Sequence, residues 1–309
     1  RSTLDRSSAA SDVYKRQASD VYKRQTMDSN IGVMGHPIGH TKSPVFQQAG
    51  LDALNIEETF EAWDVTPEAL ADKVTTFRSD GFLAACVTLP HKQEVIPMVD
   101  ELSDAAQQIG AVNWIFNKNG KLIGHNTDGT GFIRALKEKV GFEAQGVDAT
   151  VFGAGGAARA VVYALKNAGI KRLTIANRTL ERAQELAAHF TEAPFKPEAI
   201  SMSRDELADH VPYSGLLVNT TSLGMAGGPA ELATPVTSDM ISADAIGYDV
   251  VYAPPMTRFL REVEEAGATS AGGISMLVFQ GIEGFEMATG QKAPVNTMFS
   301  AIERALKPS

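Results

Sequence analysis

A lysine, an aspartate, two hydroxyls and a glycine-rich turn are the residues of this chain whose types and spacing suit chemistry. Lys92 closely follows the apolar run Gly81–Thr88 (GFLAACVT). Strand ends carry the chemistry in open α/β sheets, so a cation here is a catalytic candidate, with plain solvation the competing reading. Asp128, in Asn126-Thr127-Asp128-Gly129, opens a helical run; it is a second candidate or simply an acid at a helix start. Thr41 and Ser43 place two hydroxyls at another helix start, just past a strand end. That geometry suits an anionic ligand such as a carboxylate; capping alone is the alternative.

The stretch Gly153-Ala154-Gly155-Gly156-Ala157-Ala158 reads G-x-G-x-x-A between an apolar run and a helix. Gly153 allows a tight turn, Gly155 lets backbone approach a pyrophosphate, and Ala158 is small enough for close helix–strand packing. Free amides at the helix start would face the phosphates. The next strand, Arg172–Ala176, ends in Asn177-Arg178-Thr179, with Arg182 one turn on. An NAD site would place an acid about here; two arginines instead suit a ribose 2′-phosphate. The pattern reads as an NADP site.

The elements that must position these residues follow from periodicity. Asn30–Gly35 reads as a buried strand, with Ser43 as N-cap and Pro44 as first residue of the next helix. Glu58–Val65 alternates like a strand, Pro67–Arg78 is amphipathic, Gly81–Thr88 is a third strand, and Lys92 is expected at the start of a helix. Asp100–Gly110 reads as helix. Ala111–Phe116 and Lys121–His125 make a hairpin about Asn119-Gly120, leading to a helix at Thr130–Lys139. Residues 149–270 alternate strand and helix, with strands at 149–152, 172–176, about 215–218 and 245–249, a parallel doubly wound pattern. The polar loop Asn219–Met225 either lines a cofactor cleft or is an ordinary turn. After Gly272-Gly273, Ile274, Leu277, Val278, Ile282 and Phe285 form a helical stripe, with Met276 and Gln280 beside it, and Asn296–Leu306 is a last helix. Both helices are expected to pack back on the first half.

The 309 residues carry 28 Lys/Arg and 37 Asp/Glu, a net charge of −9, which argues against a nucleic-acid partner. A single cysteine, Cys86, allows no internal disulfide and fits a reducing, cytoplasmic compartment. No apolar run is long enough for a transmembrane helix, so no membrane partner is expected. His36, His40, His91 and His125 lack metal-ligand spacing, and no metal is expected; His91 and His125 lie near Lys92 and Asp128 in sequence. Residues 1–26 contain the octamer ASDVYKRQ twice in tandem, at 10–17 and 18–25. This segment resembles a translated adaptor end, a non-native tail, with Met27 as the expected start.

Nine motifs together resemble the shikimate dehydrogenase family (shikimate/quinate 5-dehydrogenases) in order, from about Asn30 to Leu306. They are GVMGHPIGHTKSP (32–44), VTLPHK (87–92), GAVN (110–113), NTDGTG (126–131), GAGGAARA (153–160), NRTLER (177–182), NTTSLGM (219–225), YDVVY (248–252) and GGISMLVFQG (272–281). The resemblance implies an α/β fold with a substrate domain, 27–127 plus 274–309, and an NADP-binding Rossmann domain, 128–273. It implies reversible reduction of 3-dehydroshikimate to shikimate with NADPH, in aromatic amino acid biosynthesis. Lys92 and Asp128 match the family's catalytic pair. Thr41 and Ser43 match the hydroxyls that hold the substrate carboxylate. Thr88, Asn113, Asp128 and Gln280 match residues that grip the ring hydroxyls, with Tyr252 nearby. Gly153, Ala154, Gly155, Gly156, Ala157, Asn177, Arg178, Thr179, Arg182 and Gly273 match NADP contacts. The partner implied is a small hydroxylated ring acid; a homodimer is compatible with the sequence.

Four positions depart from the family pattern: Thr41 stands for Ser, Cys86 for Asn, Trp114 for Thr and Ala288 for Trp. The pocket around Thr41, Cys86 and Trp114 is where a preference for quinate or an aminoshikimate over shikimate would be decided. A catalytically silent ligand sensor is the reading from another class. The presence of both Lys92 and Asp128 speaks against it.

Overall fold

The computed structural model describes residues 30–306, so the adaptor-like segment 1–26 and Met27 lie outside the described residues. The described residues form two six-stranded sheets. The first sheet is built from β1 (Ile31–Gly35), β2 (Phe60–Asp64), β3 (Ala84–Val87), β4 (Glu101–Leu102), β5 (Trp114–Lys118) and β6 (Lys121–His125), in the order β2-β1-β3-β5-β6-β4. β1, β2 and β3 are parallel, whereas β5 runs antiparallel to both β3 and β6. β1 and β3 are buried along their whole length, which matches their apolar sequences. The β5–β6 hairpin turns at Asn119 and Gly120, whose φ angles of 56° and 83° fit a tight two-residue turn.

The second sheet contains β7 (Asp148–Phe152), β8 (Arg172–Ala176), β9 (Glu198–Ile200), β10 (Leu216–Asn219), β11 (Ile246–Asp249) and β12 (Thr269–Ala271). All its strands are parallel, in the order β12-β11-β10-β7-β8-β9. This is the Rossmann order, with the connection reversing direction between β7 and β10. Crossover helices cover the sheet, among them α5 (Gly156–Asn167) and α6 (Leu180–Phe190). Val161, Val162 and Leu165 of α5 are buried, as their spacing predicts.

Four further helices join the two halves. α1 (Ser43–Ala53) lies on the first sheet, α4 (Asp128–Val140) leads into the second, and α9 (Ile274–Thr289) and α10 (Val295–Leu306) follow it. The last two return to pack on α1, as expected from their apolar stripes. The return is close because Gly281 has no side chain: a Cβ there would lie 2.5 Å from the Phe46 ring. The Gln47 amide also donates to the Gly281 carbonyl at 2.9 Å. α4 is held closely on both flanks, more so on the side of α9. A Cβ at Gly131 would lie 2.6 Å from the Gln280 amide on α9, and one at Gly129 would lie 3.1 Å from the Ala160 carbonyl on α5.

Several local expectations differ from what is observed. Ser43 is the first helical residue of α1, not its N-cap; Lys42 takes that position, and no side chain caps the helix. Lys92 lies in a turn, not at a helix start. The Lys92 carbonyl accepts from the Val112 amide at 2.7 Å, and Pro97 lacks a donor, so a helical ladder cannot propagate from there. The helix expected at Asp100–Gly110 shortens to α3 (Asp104–Ile109), capped by the Ser103 hydroxyl, because Glu101–Leu102 pair with β6. The helix expected at Pro67–Arg78 begins as a 3₁₀ turn at Pro67–Ala69 and continues as α2 (Leu70–Thr76). None of the described helices is long and apolar enough to cross a membrane.

Gly281→Ala is expected to force α9 away from α1 and to cost about 1–3 kcal/mol. A urea midpoint that stays at the parental value would show that the two helices tolerate a wider separation.

Candidate active site

A cleft of about 180 Å³ opens between the two sheets. Thr41, Ser43, Thr88, Lys92, Asn113, Asp128 and Gln280 line it from the first sheet and its helices. Ala157, Tyr252 and Gly273 line it from the other side. Residues spread over most of the chain thus meet at one place. All eight residues matched to substrate binding and catalysis lie there.

The centre of the cleft is an ion pair. Lys92 Nζ donates to Asp128 Oδ2 at 2.6 Å, with both side chains mostly buried. Asp128 begins α4, where helix-terminal amides favour a negative charge. Its other oxygen, Oδ1, accepts from Asn113 Nδ2 at 2.9 Å. Asn113 Nδ2 also lies 3.0 Å from Thr127 Oγ1 and 3.2 Å from Gln280 Oε1, and Asn113 Oδ1 accepts from the Thr127 amide. Asn126 holds the loop below, accepting from the Asp128 amide and donating to the Ala111 carbonyl. The motif Asn126-Thr127-Asp128 therefore works as one unit. Its first two members fix the backbone, and sequence reading singled out only the third.

At the opposite end, Thr41 Oγ1 and Ser43 Oγ stand 3.4 Å apart at the start of α1, and the Thr41 hydroxyl accepts weakly from the Ser43 amide. Two hydroxyls that share so little with each other remain available to an anion. Cys86 lines the same cleft, and burial pushes its thiol up to about 12, so it stays neutral. Burial likewise raises the Tyr252 phenol. His91 and His125 do not line the cleft. The His91 ring is fully buried, with Nε2 2.6 Å from the Val65 carbonyl. His125 packs edge-on against Phe116, and burial lowers its pKa.

The glycine-rich turn sits at the point where the second sheet reverses direction. Gly153 has φ +112°, and a Cβ there would lie 2.5 Å from Thr220 Oγ1, so only glycine fits. Gly155 faces open space, and no side chain caps α5. The helix's first turn carries no acid. These features leave a cradle for a phosphate at the helix start. Asn177, Arg178, Thr179 and Arg182 lie past β8, beside this turn but outside the cleft. Arg178 and Arg182 are exposed, and no ion pair among the described residues engages either guanidinium.

The loop Asn219–Met225 proves to be braced rather than idle. Asn219 Nδ2 donates to Asp249 Oδ1 at 3.0 Å, and Thr257 Oγ1 donates to Asp249 Oδ2 at 2.6 Å. Asp249 also accepts from the Val251 amide, next to Tyr252. This buried carboxylate, not anticipated from sequence, ties the cleft wall at Val250–Tyr252 to the neighbouring loop.

Comparison with known proteins finds similarity to shikimate dehydrogenases, and also to a 5-ketofructose reductase of Gluconobacter with a TM-score of 0.77 and 32% identity over 89% of this chain and 98% of that one. Residues 33–115 match the shikimate dehydrogenase substrate binding domain, and residues 135–222 match the shikimate / quinate 5-dehydrogenase model. A shikimate dehydrogenase (NADP(+)) of Methanopyrus kandleri is 42% identical over 279 residues, covering 90% of this chain and 96% of that protein. A solved shikimate 5-dehydrogenase of Listeria monocytogenes, in complex with shikimate and NAD, has a TM-score of 0.82 and 33% identity, over 88% of this chain and 95% of that one. Another from Thermus thermophilus, in complex with NADP(H) and shikimate, has a TM-score of 0.79 and 36% identity, over 89% and 99%.

Burial pushes the Asp249 carboxyl up to about 6, against the hydrogen bonds from Thr257, Val251 and Asn219 that favour its charged form. Between the ordinary carboxylate value near 3.9 and about 6, the folded protein keeps a proton that the unfolded chain has released. This group's contribution to stability therefore grows as pH falls through that window. Asp249→Asn should remove that contribution. Urea midpoints of parent and variant, compared at about pH 7 and about pH 4.5, should diverge in favour of the parent at the lower pH. Parallel behaviour would show that Asp249 does not titrate there.

Proposed function

The chain belongs to the shikimate dehydrogenase family, and we propose that it reversibly reduces 3-dehydroshikimate to shikimate with NADPH, in the cleft between its two sheets. One observation carries this reading: the Lys92–Asp128 pair at 2.6 Å sits among hydroxyl and amide groups suited to a hydroxylated ring acid. The substrate-binding part comprises residues 27–127 and 274–309, and the cofactor-binding part residues 128–273. The setting is cytoplasmic; the free thiol of Cys86 suits a reducing compartment.

The residues present fit the cofactor. The open space at Gly155 and the uncapped start of α5 suit a pyrophosphate. Arg178 and Arg182 suit a 2′-phosphate, with Asn177 and Thr179 beside them, and Ala157 and Gly273 border the cleft where the reactive ring belongs. NADPH supplies the hydride; the protein supplies position and electrostatics.

Each residue at the substrate then has a distinct task. Thr41 and Ser43 donate to the carboxylate and set the acid's direction in the cleft. Thr88, Asn113 and Gln280 hold ring hydroxyls. The Lys92 ammonium polarises the ring carbonyl and yields the proton that the new hydroxyl requires. Asp128 holds and aims Lys92, and Asn113 aims Asp128 in turn. Lys92 and Asp128, in contact at 2.6 Å, act on the proton together. Cys86 lines the cleft without a strong donor or acceptor. This favours rate measurements with quinate and aminoshikimate beside shikimate.

Initial rates of NADP⁺ and NAD⁺ reduction with shikimate and quinate test the proposal. Turnover of shikimate with NADP⁺ supports it; binding without turnover of any ring acid would replace it with a sensor. Lys92→Ala is expected to lower kcat by about 10²–10⁴-fold with little change in KM for shikimate. Arg178→Ala is expected to raise KM for NADPH about tenfold and to leave KM for NADH unchanged. Equal changes for both cofactors would remove Arg178 from 2′-phosphate recognition.

A further inference from the structure

Trp114 does not line the cleft; it stands behind it. The indole is fully buried and stacks on Phe116, ring centroids 5.8 Å apart. On the sheet, Trp114 of β5 lies directly opposite Cys86 of β3, a small side chain on the same face. On the helix side, room comes from Gly284 of α9, where a Cβ would fall 2.0 Å from the indole Cε2. The ring therefore occupies a slot that a small residue leaves open on each flank.

This slot aims the indole N–H at a residue that does line the cleft. Trp114 Nε1 donates to Gln280 Oε1 at 3.4 Å, and Asn113 Nδ2 donates to the same oxygen at 3.2 Å. Gln280 Nε2 donates to the Leu277 carbonyl at 2.8 Å. The indole nitrogen can only donate and the Leu277 carbonyl can only accept. Reversing the amide would set donor against donor at one end and acceptor against acceptor at the other. The Gln280 amide thus has a single admissible orientation. Asn113 Nδ2 has two hydrogens and nearer acceptors in Asp128 Oδ1 at 2.9 Å and Thr127 Oγ1 at 3.0 Å, so the indole N–H is the donor that holds this oxygen, and the second hydrogen on Nε2 is what Gln280 offers the cleft.

We propose that Trp114 is a specificity-determining positioning residue, which fixes the Gln280 amide so that it presents its N–H to the ring substrate. The ring atom that meets Gln280 is then an oxygen acting as acceptor. An ammonium in its place would face N–H against N–H and be rejected. This rests on the shikimate reading given above.

The test is a double-mutant cycle on the purified enzyme, with shikimate and NADP⁺ as substrates. Trp114→Phe keeps an aromatic ring and removes the N–H. It is expected to raise KM for shikimate about two- to tenfold, the worth of one neutral hydrogen bond, with kcat and KM for NADP⁺ within about twofold. In the Gln280→Ala background the same substitution should leave KM for shikimate unchanged. Trp114→Met, which also fills the slot without an N–H, should repeat the pattern and serves in its place if the phenylalanine variant does not fold. An equal factor in both backgrounds, or no change in either, would overturn the proposal, because Trp114 would then act through packing alone. Absence of shikimate turnover in the parent enzyme would overturn the proposed function and this inference with it. Turnover in the parent with additive effects would overturn this inference only.

Discussion

A cation and a carboxylate withdrawn from water need each other, and they also need further hydrogen bonds to offset what hydration supplied. Lys92 and Asp128 meet that constraint in a particular way. One carboxylate oxygen takes the ammonium, the other takes Asn113, and Asn113 is held by Thr127. The first turn of α4, the end of β6 and the entry to β5 are all committed to satisfying one buried charge pair. Removing any member would leave a buried polar group without its partner, which is why so many strictly placed residues surround a single proton-handling step.

The two halves of the molecule contribute unlike things to the cleft. The first sheet, its helices and the start of α4 supply side chains: hydroxyls, amides and the ion pair. The second sheet supplies mainly backbone: a glycine turn, an uncapped helix start and the edge at Gly273. This division follows from the tasks. A ring with several hydroxyls is distinguished by donors and acceptors at defined points, whereas a pyrophosphate is held by amides that any sequence could offer once glycine lets the chain come close.

Much of this was legible in the sequence because each motif carries its chemistry locally. Gly153–Ala158 announces a phosphate cradle by itself, and the strand–helix alternation after residue 148 announces a parallel sheet. Other features depend on partners far along the chain. Trp114 and Gln280 are 166 positions apart, so nothing near Trp114 reveals that its N–H completes the Gln280 amide. Asp249 looked like part of a strand end until Asn219 and Thr257 closed around it. Short strands such as Glu101–Leu102 and Glu198–Ile200 are too brief to show alternation and exist only through their neighbours. Ser43 and Lys92 were placed in the right region but in the wrong local geometry, since carbonyl competition by Val112 cannot be seen from Lys92 itself.

The two glycines of α4 have a mechanical consequence. Gly131 lets this helix close to backbone contact on α9, whereas Gly129 lets it lie less tightly against α5, so α4 touches both halves but is seated on the first. Rotation of one half against the other, to admit a substrate, would carry such a helix with the half it is seated on. Asp128 sits at the start of that helix. The carboxylate that steers Lys92 would then travel together with it, and opening the cleft to ligands would not require the acid–base pair to be reassembled at every cycle.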